Sequence, residues 1–193
     1  MDVVRYSEAD IPTEYGQVRT VAYRVGMDEH IALVVGDLAS DAEPVLARVH
    51  SECWTGEVLR SNKCDCREQL DLAMRAIAAE KRGVVVYLRQ EGRGIGLGNK
   101  LRAYALQAEG VDTVDANRML GFADDERTYD VAAAILKDLG ARRVDLMTNN
   151  PAKVRGLAEH GVEVVRRVAV KAEPHQHNAG YLAVKARRMG HEL

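Results

Sequence analysis

Between residues 18 and 49 the chain reads as three short strand-like stretches, at 18–25, 31–36 and 44–49. Each is predicted as a strand, the middle one a continuous apolar run of the type buried on both faces. The period then changes. Residues 68–82 set Leu70, Leu72, Met74, Ile77 and Ala78 near helical spacing, and Gly83 suits the position just past the helix end. A short apolar strand at 84–88 leads into a glycine-rich turn, after which 100–107 resumes a helical pattern. Residues 128–139 read as another helix, closed by Gly140, and 144–147 as a buried strand. Asn149-Asn150-Pro151 opens a helix to His160, with Asn150 as cap and proline at the first helical position. A strand at 162–168 and a last helix at 180–189 complete the pattern. Strands come first and strand–helix alternation follows, so the predicted class is α/β, or α+β, with a mixed β-sheet flanked by helices.

No Pro/Ser/Gly-rich linker, repeat or low-complexity tract divides the 193 residues, which read as one domain spanning 1–193. A hydrophobic share of 47% supports a core, and a net charge of −2 gives no general basic field for a nucleic-acid backbone. Binding of DNA or RNA is not expected. No run approaches the ~18 apolar residues of a membrane span, and the first residues lack the basic head and apolar stretch of a secretion signal. The expected location is the cytoplasm.

The three cysteines are Cys53, Cys64 and Cys66. An odd number of clustered thiols suits a reducing compartment and a metal better than a disulfide frame. Cys64 and Cys66 can present both sulfurs from one turn, with Cys53 as a third ligand from an earlier strand end. A closed tetrahedral site needs a fourth donor, such as His50, His175 or His177, whereas three protein ligands and an open position are the catalytic pattern. Ordinary buried thiols are the plain alternative. The crowding of Arg48, His50, Glu52, Lys63 and Asp65 around the sulfurs favours a functional cleft. Three thiolates on Zn²⁺ leave a charge of −1, so a nearby base or cation would help activate water. By proximity in the chain, His50 and Glu52 are candidates.

The glycine-rich turn, residues 89–100, carries glycine at 92, 94, 96 and 98. Its amides can face an anion at a helix start, with Arg93, Lys100 and Arg102 supplying charge. It matches neither the dinucleotide-binding nor the Walker spacing, and a plain surface loop is the alternative. Asp124-Asp125-Glu126-Arg127 precedes a helix, where carboxylates commonly serve the helix dipole; the functional reading makes Asp125 a proton acceptor and sets Arg127 against a phosphate. Thr148 and Lys153 follow a buried strand, where α/β enzymes place ligand contacts.

Together these stretches resemble GTP cyclohydrolase II. The resemblance rests on Arg48-Val-His-Ser-Glu-Cys53, Cys64-Asp-Cys66, Gln69-Leu70, Gln90-Glu-Gly-Arg-Gly-Ile-Gly-Leu97, Asn99-Lys100 and Leu101-Arg-Ala-Tyr-Ala-Leu-Gln107. It continues through Asp112-Thr-Val114, Ala116-Asn117, Leu120-Gly-Phe122, Asp125-Glu-Arg127, Thr148-Asn-Asn-Pro151 and Met189-Gly-His191. The pieces follow family order from about residue 30 onward and are jointly specific.

The resemblance implies an α/β fold, one Zn²⁺ per subunit on Cys53, Cys64 and Cys66, Mg²⁺ with the triphosphate, and a homodimer. GTP would be contacted by Arg48, Glu52, Gln69, Glu91, Gly92, Arg93, Thr113, Thr148 and Lys153. Asp125 would accept a proton. The family assigns Arg127 as nucleophile on the α-phosphate, although a guanidinium with a pKa above ~12 suits a phosphate clamp better. The implied reaction is addition of zinc-activated water at C8 of guanine, ring opening, and release of formate. Pyrophosphate leaves separately, giving 2,5-diamino-6-(5-phosphoribosylamino)pyrimidin-4(3H)-one, the first step of riboflavin biosynthesis. Arg67, Asn62-Lys63 and Trp54 depart from the family pattern beside the metal and put the fate of the ring-opened intermediate in question. Two alternatives therefore stand: a diverged member that retains the formyl group or serves another pathway, and a non-catalytic zinc-stabilised nucleotide-binding module. Without the dihydroxybutanone phosphate synthase domain fused to some relatives, the chain is expected to act in the stand-alone form.

Overall fold

A computed structural model describes residues 2–39 and 43–170. In chain order the strands and helices are β1 (Val4–Thr13), β2 (Gly16–Val25), β3 (Asp28–Val35), β4 (Val45–Ser51), α1 (Trp54–Glu57), α2 (Cys66–Glu80) and β5 (Gly83–Leu88). A 3₁₀ turn at Glu91–Gly94 leads to α3 (Gly96–Ala108), α4 (Thr113–Met119), α5 (Asp130–Asp138), β6 (Arg143–Met147), α6 (Pro151–Glu159) and β7 (Glu163–Val168). The strands form one mixed sheet in the order β1-β2-β3-β5-β4-β6-β7. β1, β2, β3 and β5 pair antiparallel in succession, whereas β5, β4, β6 and β7 run parallel.

The expected α/β class with helices on both faces of a mixed sheet is what is found, and the pattern of burial explains it. β4 is buried along all but its last residue, as a central parallel strand must be. Val45, Ala47, Val49, Val84, Val86, Val144 and Leu146 point to one face, where α5 packs with Ala132, Ile135 and Leu136 and α6 with Leu157. Leu46, Val85 and Met147 point to the other, against Ala73, Met74 and Ile77 of α2. Each fully buried aliphatic side chain contributes about 1.5–3 kcal/mol to this sandwich.

Several boundaries differ from expectation. α2 stops at Lys81 in the left-handed region (φ 57°), two residues before Gly83. Gly83 opens β5 instead, where a Cβ would stand 2.6 Å from the Leu46 carbonyl oxygen. α3 begins at Gly96, earlier than residue 100. α1 and α4 carry no prediction, being short. β1 was also missed: every residue of it is exposed, so no buried face marks the strand. The 180–189 helix lies outside the described residues. As predicted, the Asn150 side chain caps α6, accepting from the Ala152 N–H, with Pro151 at its start.

The connections set the site. β4 passes through α2, on one face, to β5 on one side of it; β5 passes through α5, on the other face, to β6 on the opposite side. The loops leaving β4 and its neighbours part at the carboxyl ends, which is where open α/β sheets form a crevice.

Candidate active site

Cys53 follows β4 directly, Cys64 ends the loop after α1, and Cys66 opens α2. Their sulfurs lie within 4.8 Å of one another, Cys53 and Cys64 at 3.6 Å. Thiolates held 2.3 Å from one tetrahedral ion would stand about 3.8 Å apart, so the spacing suits Zn²⁺. Gly56 leaves the room: a Cβ there would come within 3.0 Å of the Cys64 sulfur and 3.2 Å of that of Cys53. Protons are shared unevenly among the three. Hydrogen bonds from Cys64 and Cys66 hold Cys53 well below the ordinary thiol value, and the hydrogen bond to Cys53, with burial, pushes Cys64 up to about 11. A divalent cation would relieve that conflict.

His50 does not join the sulfurs. It is buried, its Nε2 lies 2.6 Å from Glu57 Oε1, and its ring stacks on Tyr87, whose hydroxyl donates to the other Glu57 oxygen at 2.6 Å. Burial keeps His50 toward its neutral form. Glu52 accepts from Arg89 Nε at 3.1 Å. Neither is placed as a fourth ligand, and His175 and His177 lie outside the described residues.

The glycine-rich turn closes over the sulfurs. Gly92 and Arg93 both adopt left-handed backbone (φ 64° and 66°), which folds the chain back on itself. Glu91 is buried, and both its oxygens are engaged: Oε2 accepts from the Trp54 N–H at 2.6 Å, and Oε1 from the Gly92 N–H and from Lys100 Nζ at 2.7 Å. The same ammonium stands 3.1 Å from the Cys53 sulfur. Burial disfavours the charge on Lys100, but Cys53 and Glu91 outweigh it and its pKa is raised. Lys100 therefore serves the sulfurs, not the free anion site expected of it. Arg93 presents buried Nη1 and Nη2 with no hydrogen-bond partner among the described residues. Arg102 is exposed and bonds Asn99, away from the cleft.

A second cluster lies beside Cys66. Arg48 is buried, donating from Nη1 to the Met147 carbonyl at 2.9 Å and from Nη2 to Gln69 Oε1. Burial pulls its pKa down to about 10. Lys153 is buried too, donates to the Val49 carbonyl at 2.6 Å, and is held well below its ordinary pKa by burial and by the charges of Arg127 and Arg48. Thr148 is buried and its hydroxyl accepts from the Asn150 N–H. Arg127 grips Asp125 through two bonds of 2.8 and 2.6 Å. Burial works against the Asp125 charge, yet Arg127 outweighs it and the pKa is lowered.

Between these groups runs a cleft of about 580 Å³, counting its open mouth. Of the predicted residues, Glu52, Cys53, Cys66, Glu91, Gly92, Arg93, Thr113 and Arg127 line it. Cys64, Arg48, Gln69, Asp125, Thr148 and Lys153 are not among the residues that line it. Tyr104, Gln107 and Asn117 line it as well and were not predicted as site residues. They sit on α3 and α4, and nothing in their residue type marks a site. Of the unusual residues near the sulfurs, Arg67 faces Asp71 on α2, whereas Lys63 lies 4.8 Å over the Tyr104 ring.

A family profile described as GTP cyclohydrolase II matches residues 4–169. The chain is 51% identical over 193 residues to a "GTP cyclohydrolase-2" of Actinobacillus succinogenes, covering 99% of this chain and 88% of that one. Identity to the "GTP cyclohydrolase-2" of Pasteurella multocida is 49% over 191 residues, covering 98% and 87%. The "Riboflavin biosynthesis protein RibBA" of Bacillus subtilis is 50% identical over 193 residues; 99% of this chain is covered, but the chain spans only 48% of that protein's length.

Proposed function

Since the chain belongs to the GTP cyclohydrolase II family, we propose that it hydrolyses GTP. The guanine imidazole ring is opened at C8 with loss of formate, and pyrophosphate is released to leave 2,5-diamino-6-(5-phosphoribosylamino)pyrimidin-4(3H)-one for riboflavin biosynthesis. One observation carries the reading: the cluster of three convergent sulfurs, which reaches the cleft through Cys53 and Cys66, and Arg93 with its unpartnered buried nitrogens line the same space. Cys53, Cys64 and Cys66 would hold Zn²⁺, which when bound supplies Lewis acidity and activated water for attack on the purine.

The chain's own groups divide the remaining tasks. Glu52, Glu91, Gly92 and Thr113 line the cleft that Cys53 and Cys66 also line, and would orient the base. Arg93 offers two desolvated donors to a phosphate oxygen. Arg48, Lys153 and Arg127 would concentrate positive charge beside Cys66, which suits a triphosphate carrying Mg²⁺, with Gln69 and Thr148 as further contacts. Asp125 would accept a proton, its charge being preserved by Arg127. Because Arg127 is held as a charged pair, we read it as a clamp on the α-phosphate and the leaving pyrophosphate, not as a nucleophile. We further read the enzyme as a homodimer of the cytoplasm. The exposed edge strand β1, with Val4, Tyr6 and Ile11 uncovered, supports self-association, and among the described residues no helix is long and apolar enough to cross a membrane.

Incubation with GTP, Zn²⁺ and Mg²⁺, followed by mass analysis and by counting formate and pyrophosphate per GTP, tests this. One formate and one pyrophosphate per GTP are expected. Pyrophosphate without formate would indicate the variant that keeps the formyl group, and metal-replete protein that binds GTP without turnover would reduce the chain to a binding module.

A further inference from the structure

Three thiolates on one divalent ion make an electron-rich, poorly electrophilic centre. Something must draw charge off the sulfurs if bound water is to be activated. The residues near Cys53 in sequence do not do so: His50 is turned to Glu57, and Glu52 to Arg89. The group in contact is Lys100, forty-seven positions away, with its ammonium 3.1 Å from the Cys53 sulfur and 2.7 Å from Glu91.

This contact is built from several sides. Lys100 lies on the first turns of α3 and is brought over the sulfurs by the left-handed backbone at Gly92 and Arg93. A Cβ at Gly92 would stand 3.1 Å from the Lys100 Cβ, so the turn and the lysine stem are packed against each other. Glu91 is locked by the Trp54 and Gly92 amides and so aims the ammonium at the sulfur, not out into the cleft. The Trp54 amide also belongs to α1, the turn that follows Cys53, so metal loop and lysine share one anchor. The Tyr104 ring, 5.7 Å from the ammonium, covers it further.

We propose that Lys100, oriented by Glu91, is a positioning and charge-tuning residue for the metal centre: its N–H···S bond withdraws electron density from Cys53 and makes the bound ion a stronger Lewis acid. This rests on the zinc reading above. The effect does not need overall neutrality, because the ammonium touches the sulfur directly while the Glu91 charge sits behind it, shared with two backbone N–H groups.

The test uses Co²⁺ in place of Zn²⁺, with Lys100→Met, Lys100→Gln and Lys100→Arg in the full chain. Loss of the bond leaves a more electron-rich thiolate, so the sulfur-to-cobalt charge-transfer band of Lys100→Met moves to longer wavelength. For the same reason, alkylation of the zinc-loaded protein by iodoacetamide becomes at least tenfold faster. Lys100→Gln, which keeps a neutral donor, falls between, and Lys100→Arg restores most of the wild-type band. A Lys100→Met or Lys100→Gln protein that holds one metal ion with the wild-type band and alkylation rate overturns the proposal alone. Failure of the unsubstituted chain to bind Co²⁺ or Zn²⁺ overturns the zinc reading itself, and with it this one.

Discussion

Replacing Gly56 by alanine sets two forces against each other. Gly56 is a buried residue of α1 and does not need left-handed backbone. By helix propensity alone, Gly56→Ala should stabilise the turn by up to about 1 kcal/mol. Sterically, the new methyl would meet the Cys64 sulfur at 3.0 Å, the Cys53 sulfur at 3.2 Å and the Cys66 Cβ at 3.5 Å. The optimal separation of such atoms is about 3.5–4.0 Å, so both sulfurs must retreat by a few tenths of an ångström. Overpacking of this kind costs about 1–3 kcal/mol, which cancels or exceeds the helical gain. The metal feels it more. Cys53 and Cys64 already stand at 3.6 Å, near the edge of a tetrahedron of thiolates, and pushing them outward strains every metal–sulfur bond. A penalty of about 1.4 kcal/mol per tenfold makes a loss of zinc affinity of at least tenfold the expected outcome. Competition with a chelator for Zn²⁺, paired with thermal unfolding of the metal-free protein, reads both terms. A Gly56→Ala protein that melts higher than the parent and holds zinc equally well would refute the view that this glycine exists to seat the ion.

Three further outcomes are expected. Cys64→Ser should lose zinc by elemental analysis and lower formate release by more than the roughly 10–100-fold typical of outer-shell changes; retained zinc and an unchanged rate would remove Cys64 from the ligand set. Lys153→Met deletes a buried cation repelled by Arg127 and Arg48, so unfolding free energy should hold or rise while the KM for GTP rises more than about tenfold; a large loss of stability with an unaltered KM would contradict an anion-binding role. His30 is held toward its neutral form by burial, and its Nδ1 accepts the Arg89 N–H. Its folded pKa lies below the unfolded value of about 6.5, so its contribution is present above that pH and is lost as pH falls through the folded pKa. The difference in stability between the parent and His30→Asn should therefore be flat above about 6.5 and shrink below it, which urea unfolding from pH 8 to 5 would check.

Much of the parallel half of the sheet was legible because β4, β5 and β6 are buried nearly throughout and apolar at most positions, β5 reading as a continuous apolar run. β1 was not, because pairing with β2 holds it while every side chain stays exposed, leaving no pattern to detect. At the site, Cys53, Cys64 and Cys66 stood out by residue type and were found together. Lys100 was noticed for its charge, but its direction was invisible: that depends on the left-handed turn at Gly92 and Arg93 and on Glu91, contacts that no spacing rule encodes. Tyr104, Gln107 and Asn117 reach the cleft only because α3 and α4 fold back over it. α4 carried a faint signal in its Asp112 cap, which accepts from the Val114 and Asp115 amides.

On the proposed reading, those contacts let one site serve both a base and a phosphate chain, because its sulfur cluster and its basic cluster bear opposite charge. Near Cys53, its thiolate and Glu91 collect negative charge, answered by the Lys100 ammonium. Beyond Cys66, burial and the charges of Arg127 and Arg48 depress the ionisation of Lys153, and Asp125 answers Arg127 at contact distance. The sulfur cluster suits a cation and the basic cluster an anion. Cys66 lies between them and is felt by both Arg48 and Lys153. Filling one end therefore changes the field at the other. A divalent ion on the sulfurs would offset the Cys66 charge that favours protonated Arg48 and Lys153, so metal loading should sharpen the demand of the basic cluster for a polyphosphate. Occupancy of the two ends is thermodynamically linked, and linkage is reciprocal: whatever metal contributes to nucleotide affinity, nucleotide must return to metal affinity in equal measure.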